Sequence, residues 1–136
     1  MSKKLSGYIL IVFLLSIFNS GCSVNQLHPS EQTIQHVVLV WFKPDTSEKT
    51  VNKIIKETRK LKQISGIRDL HVGRAVPSQR SIVDASFDLG IVMSFPDKYT
   101  MNQYIHHPRH VDFVKRYVKP HVSRIIVYDI REQLPE

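Results

Sequence analysis

Four of the seven histidines fall between Tyr104 and Ile130, in the run Y-I-H-H-P-R-H-V-D-F-V-K-R-Y-V-K-P-H-V-S-R-I-I-V-Y-D-I, so polar chemistry is expected to gather there. An imidazole with an ordinary pKa near ~6.5 exchanges protons close to neutrality, which makes His110 the leading candidate for a general base. Tyr104 is placed to orient that ring or to donate a hydrogen bond to a developing oxyanion. The same pair also has a structural reading, in which the two side chains satisfy one another and the backbone around Pro108. His106 and His110 stand four apart and His107 and His110 three apart, spacings that would set two imidazoles on one helical face as in a zinc site. Pro108 interrupts that face, Asp112 is the only nearby carboxylate, and no cysteine remains in the domain, so no metal site is expected.

The other polar residues point to less. His71 and His121 read as exposed or turn residues, and Trp41 and Phe42 as core or interface. No glycine-rich phosphate loop, Ser/His/Asp order or paired-carboxylate motif stands out. The chain has 136 residues, 42% hydrophobic and 23% charged, the size and composition of one globular domain. Its net charge of +7 is spread without a dense basic block, which argues against a nucleic-acid partner.

Several elements must position the candidate residues. His36 to Phe42 is a β-branched and aromatic run of strand length, apolar on both alternating faces. Asp45 and Glu48 form a capping-box-like start for a helix whose buried stripe is Val51, Ile54, Ile55, Thr58 and Leu61. Gly66 frees the chain to turn into a second strand over 67–76, with Leu70 and Val72 on one face and Asp69 and His71 on the other. After a polar loop, a third strand over 87–95 aligns Phe87, Leu89, Ile91, Met93 and Phe95, and Gly90 in its middle marks a bulge or a close approach. Asp97 caps a second helix that breaks at Pro108 and restarts with Val111, Val114 and Val118 inward. Val122 to Ile130 makes the fourth strand.

The order β-α-β-β-α-β predicts an α+β, ferredoxin-like fold with a four-stranded antiparallel sheet. Two helices cover one face of such a sheet, yet the first and last strands are apolar on both. The uncovered face is therefore expected to pair with a second copy, giving a homodimer of facing sheets, a dimeric α/β barrel.

The N-terminus is of another kind. Lys3 and Lys4, the apolar run Tyr8 to Phe18 and the small residues before Cys22 have the layout of a secretory signal. Ser20 and Gly21 ahead of Cys22 resemble the lipobox of bacterial lipoproteins, in which the chain is cut before the cysteine and that cysteine carries the lipid; Asn19 departs from the aliphatic residue usual there. The resemblance implies a signal peptide over 1–21, a lipid on Cys22, a tether over 22–34, a domain over 35–131 and a tail over 132–136. It places the protein in the bacterial cell envelope, anchored to the membrane through its lipid, and Ser23 permits the periplasmic side of the outer membrane in a Gram-negative cell. An ordinary or uncleaved signal remains the alternative.

With the strands placed, residues 36 to about 130 resemble the stress-responsive dimeric α/β-barrel, or Dabb, family. The resemblance rests on H-V-V-L-V-W-F-K, G-I-R-D-L-H-V-G-R, F-D-L-G-I-V-M-S-F, and most specifically on Tyr104 followed by the H-P-x-H element His107, Pro108 and His110. One plant branch cyclises polyketide chains without a cofactor, and its active histidine, tyrosine and strand-opening histidine fall on His110, Tyr104 and His36. A further pocket histidine and tyrosine of that branch fall on Leu89 and Thr58, so the same reaction is not expected. Related barrels bind haem through a helix histidine, but no axial pattern is recognisable and no cofactor is expected. The leading expectation is a lipid-anchored homodimer that binds a small, partly apolar molecule beside Tyr104, His110 and His36. The alternatives are a cofactor-free acid–base enzyme of cyclase, isomerase or oxygenase type with His110 as base, and a structural protein of an envelope complex.

Overall fold

The computed structural model describes residues 32–133; the expected signal peptide, Cys22, most of the expected tether and the last residues of the expected tail lie outside the described residues. In chain order the elements are β1 (Ile34–Phe42), α1 (Glu48–Lys60) continued by a 3-10 turn (Leu61–Gln63), β2 (Asp69–Gly73), β3 (Leu89–Phe95), α2 (Lys98–His106), α3 (Pro108–Phe113) continued by a widened, π-type turn (Val114–Val118), and β4 (Val122–Arg131). The strands form one antiparallel sheet in the order β2-β3-β1-β4, the split arrangement expected of a ferredoxin-like α+β fold.

Strand alternation decides which side chains meet. Ile34, His36, Val38 and Val40 of β1 stand opposite Phe95, Met93, Ile91 and Leu89 of β3, and all eight point to the helix-covered face and are buried. The stripe of α1 lies over this face with Val51, Ile54 and Thr58 buried, joined by Leu61, Met101, Tyr104 and Phe113. Each buried aliphatic side chain contributes roughly 1.5–3 kcal/mol, which outweighs a surface pair such as Lys60–Glu57, worth a few tenths.

Local chemistry departs from the sequence expectation at several points. The cap of α1 is Ser47, whose hydroxyl accepts the Thr50 N–H, not Asp45. The bond from Thr46 N–H to the Lys43 carbonyl closes a turn around Asp45, and this makes Ser47 the last extended residue before the helix. Phe87 precedes β3 and lies on the opposite face from Leu89: its ring stacks edge-on against Trp41 and fills the space above Gly90, where a Cβ would sit 3.3 Å from it. Gly90 thus serves a close approach, and the irregular register falls instead between Trp41 and Phe42. In the restarted helix Phe113 is buried while Val111 is 53% exposed. The restart at Pro108 resets the helical phase, and the widened turn, closed from Lys119 N–H to the Val114 carbonyl, shifts it again so that Val114, Tyr117 and Val118 pack partly inward. Asp97 caps α2 as expected, accepting the Thr100 N–H at 2.7 Å.

Gly66 turns the chain into β2 with φ of 93°, a conformation that favours glycine, and a side chain there would overlap Thr100. The contact joins the end of the first helical unit to the start of α2 and so helps set the height of α2 above the sheet.

Candidate functional site

The break between α2 and α3 is built from the H-P-x-H element one hydrogen bond at a time. Pro108 has no N–H to give the Tyr104 carbonyl, and that carbonyl accepts from His107 N–H at 3.0 Å instead. In an unbroken helix the Ile105 carbonyl would accept from Arg109 N–H; here that N–H is donated to His107 Nδ1 at 3.2 Å, so the imidazole caps α3. The Ile105 carbonyl left over accepts a hydrogen bond from His110 Nδ1 at 2.8 Å. A carbonyl only accepts, so Nδ1 carries the proton and the neutral ring presents Nε2 as its base. His106 donates its own Nδ1–H to the Asn102 carbonyl at 2.8 Å, on the exposed side. Three neighbouring histidines therefore take three different local jobs, and only His110 turns into the interior.

His36 reaches the same place from the sheet. It stands directly across from Asp129 on β4, and its Nδ1–H donates to Asp129 Oδ1 at 2.6 Å, again leaving Nε2 free. Between the two imidazoles lies Tyr104, its ring centroid 4.5 Å from His110, 6.2 Å from His36 and 5.1 Å from Phe95. Tyr104 is 1% exposed, and its hydroxyl is a buried polar atom without a hydrogen-bond partner among the described residues. Such an orphan is costly by roughly 1–3 kcal/mol unless something outside the chain completes it.

These four polar residues stand in the wall of a cavity of about 300 Å³ between the sheet and the α2–α3 segment. The remaining wall is apolar: Val38 and Val40 of β1, Ile91 and Met93 of β3, Ile125 and Val127 of β4, and Ile105, Phe113, Val114 and Val118 from the helical side. Its opening lies along β4, where Ile125 and Val127 face the helices yet are each 46% exposed.

Electrostatics separates the roles. Burial pushes the Tyr104 phenol far above its ordinary value, so it stays protonated and acts as a donor. Burial likewise lowers the His110 pKa; the neighbouring His36 and His107 imidazoles add to the shift and the bond to Ile105 opposes it. His110 is therefore held as a neutral base at working pH.

All three residues expected from sequence, His110, Tyr104 and His36, meet here. Leu89 and Thr58 do not reach the cavity wall: Leu89 is sealed in the core, and the Thr58 hydroxyl donates to the Ile54 carbonyl. Asp129 was missed, because its role appears only once β1 and β4 are in register. Among the described residues no three histidine, cysteine or acidic side chains come together as metal ligands would.

Residues 34–132 match the family described as the Stress responsive A/B Barrel Domain. The chain belongs to this Dabb family. A comparison with curated proteins gives no significant match. Among solved structures, a Dabb protein with a ferredoxin-like fold from Mesorhizobium loti is 24% identical, with 77% of this chain and 98% of that one covered at a TM-score of 0.62. The hydroxynitrile lyase of Passiflora edulis is 18% identical, covering 77% and 99% at 0.68. A dimeric ferredoxin-like protein of unknown function from Thermobifida fusca is 17% identical, covering 78% and 96% at 0.64. At these identities the likeness establishes a common fold for the Dabb domain described here. No helix among the described residues is long and apolar enough to cross a membrane.

Proposed function

We propose that this chain is a lipid-anchored, homodimeric Dabb protein of the bacterial envelope that binds a small, partly apolar molecule in the cavity beside Tyr104, His110 and His36. The observation that carries the binding site is Tyr104, which lines an apolar cavity of about 300 Å³ and whose hydroxyl is buried without a partner among the described residues. A ligand oxygen accepting from that hydroxyl would complete the one buried side chain left unsatisfied among the described residues. The lipid anchor is supported by the basic start, apolar run and small residues before Cys22. The dimer is supported by the open face of the sheet, on which Val92, Tyr128 and Ile130 are 37%, 52% and 53% exposed, and by the dimeric Thermobifida protein of like fold.

The binding test is native mass spectrometry of the protein purified gently from its own host, with Tyr104→Phe alongside. A dimer carrying a reproducible extra mass that Tyr104→Phe loses is the expected result. A bare dimer in both proteins would sink the binding reading.

A second reading, proton-transfer catalysis without a cofactor, is favoured by the two imidazoles that each give up Nδ1–H to a fixed acceptor and keep Nε2 for a substrate. His110 would take a proton at Nε2, and Tyr104 would steady the oxygen on which charge develops. The imidazolium formed at His110 would return the same proton to the product, with His36, held by Asp129, accepting a hydrogen bond at Nε2 to orient the substrate. The Passiflora protein of like fold is a hydroxynitrile lyase, so the fold hosts an enzyme elsewhere. Its mark is turnover that His110→Ala abolishes while ligand binding survives; equal turnover in that variant would remove His110 from the chemistry.

A further inference from the structure

The polar groups of the cavity are not only few but lopsided in charge. Among the described residues no lysine or arginine stands in its wall; Arg131 shares the helix-facing side of β4 with Asp129 yet is not part of the wall. The one carboxylate is Asp129, bound to His36 at 2.6 Å. With His36 neutral the polar end carries a net negative charge, and with His36 protonated Asp129 offsets it at contact distance. In neither state does the site hold a cation free to pair with an anionic ligand. A carboxylate or phosphate brought in could accept from the Tyr104 hydroxyl but would find no cation, and would lose most of its hydration without compensation.

An uncharged hydroxyl meets the opposite circumstances. Its oxygen accepts from the Tyr104 phenol, which has no other partner among the described residues, and its proton is donated to an imidazole Nε2 that the bonds at Nδ1 leave free. The apolar remainder of such a molecule lies along β1, β4 and the α3 segment. At ordinary packing density a cavity of this size takes on the order of ten to fifteen non-hydrogen atoms.

Resting on the binding reading above, we infer that the cavity selects uncharged hydroxyl compounds with an apolar body, phenols or enols in particular, and rejects carboxylates of the same shape. Asp129 is the residue that sets this charge preference, acting directly at the open end of the wall and holding His36 in place.

The test is calorimetric titration of the full chain in nanodiscs, corrected with empty nanodiscs, using 4-butylphenol and 4-butylbenzoate at pH 7.5, where the first is neutral and the second anionic. The phenol is expected to bind at least about tenfold more tightly than the benzoate. Asp129→Asn, which keeps an oxygen for the His36 N–H while removing the charge, is expected to narrow that ratio. Benzoate binding as tightly as the phenol, with Tyr104→Phe weakening both, would overturn the charge preference and leave the binding site standing. A ratio unchanged in Asp129→Asn would overturn the part given to Asp129. No heat from either compound, under conditions where the protein is folded by circular dichroism, would overturn the inference together with the binding reading on which it rests.

Discussion

The helix-covered face of the sheet and its open face are lined by the same strands, yet they meet different demands. On the covered face His36 interrupts the apolar row Ile34, Val38, Val40 and is matched by Asp129 across the strand pair. On the open face Val37, Leu39 and Trp41 of β1 are flanked by Val92 of β3 and by Ile126 and Tyr128 of β4, with Arg124 stacked 4.5 Å from the Trp41 ring. A covered face can hold polar groups where they find partners, and Tyr104, whose hydroxyl finds none among the described residues, lies where the proposed ligand would sit. An open face that stays apolar marks the place left for a protein surface. β4 belongs to both: exposed along most of its length, it is the lip of the cavity on one side and part of the open apolar surface on the other.

The largest effect is expected from breaking the open face. Val37→Asp puts a charge among Val92 and Tyr128, its neighbours across β3 and β4. Burying an unpaired carboxylate between two sheets is costly enough to weaken dimerisation by about a hundredfold or more. Sedimentation equilibrium is expected to show the variant as a folded monomer while wild type is a dimer. A variant that stays dimeric would place the interface elsewhere.

On the covered face the informative change is smaller and of opposite sign. Tyr104→Phe removes a hydroxyl that is buried without a partner, so the empty protein is expected to become more stable by about 1–2 kcal/mol. For a domain of this size each kcal/mol corresponds to a rise in melting temperature on the order of 4–8 °C, readable by differential scanning calorimetry. The same variant is expected to lose ligand. Gain of stability with loss of binding is the signature of a functional orphan, whereas a structural hydroxyl would show a loss of stability.

Much of this contrast was legible before any coordinates. Alternation in His36 to Phe42 and in Val122 to Ile130 gave away strands with two apolar faces, and Pro108 between Tyr104 and His110 gave away the broken helix. What stayed hidden depended on through-space register or on helical phase. Asp129 is linked to His36 only by strand pairing, and nothing in Y-D-I distinguishes it from a surface carboxylate. Phe113 replaced Val111 as the buried residue because a proline restart followed by a widened turn defeats a constant period of about 3.6 residues. Ser47 took the cap from Asp45 because the preceding turn, not residue preference, decided where the helix began.

The smallest effect separates the two imidazoles of the covered face. His110 is held neutral chiefly by burial, so its pKa in the folded protein lies below its unfolded value. Between those two values the unfolded chain binds more protons than the folded one, and stability therefore rises with pH through that window. The contribution is complete above the unfolded pKa near ~6.5 and is lost as the pH falls towards the folded one. His110→Asn keeps a donor for the Ile105 carbonyl but does not titrate, so its denaturant midpoint is expected to change less than that of wild type when the pH is taken from 7.5 to 5.5. Nitrogen-15 NMR of the imidazoles checks the assignment directly: His110 should remain protonated at Nδ1 and free at Nε2 below the ordinary imidazole value near ~6.5. A His110 that becomes charged already at or above that ordinary value would mean that burial does not hold it neutral, and would leave the cavity without a base on its helical side.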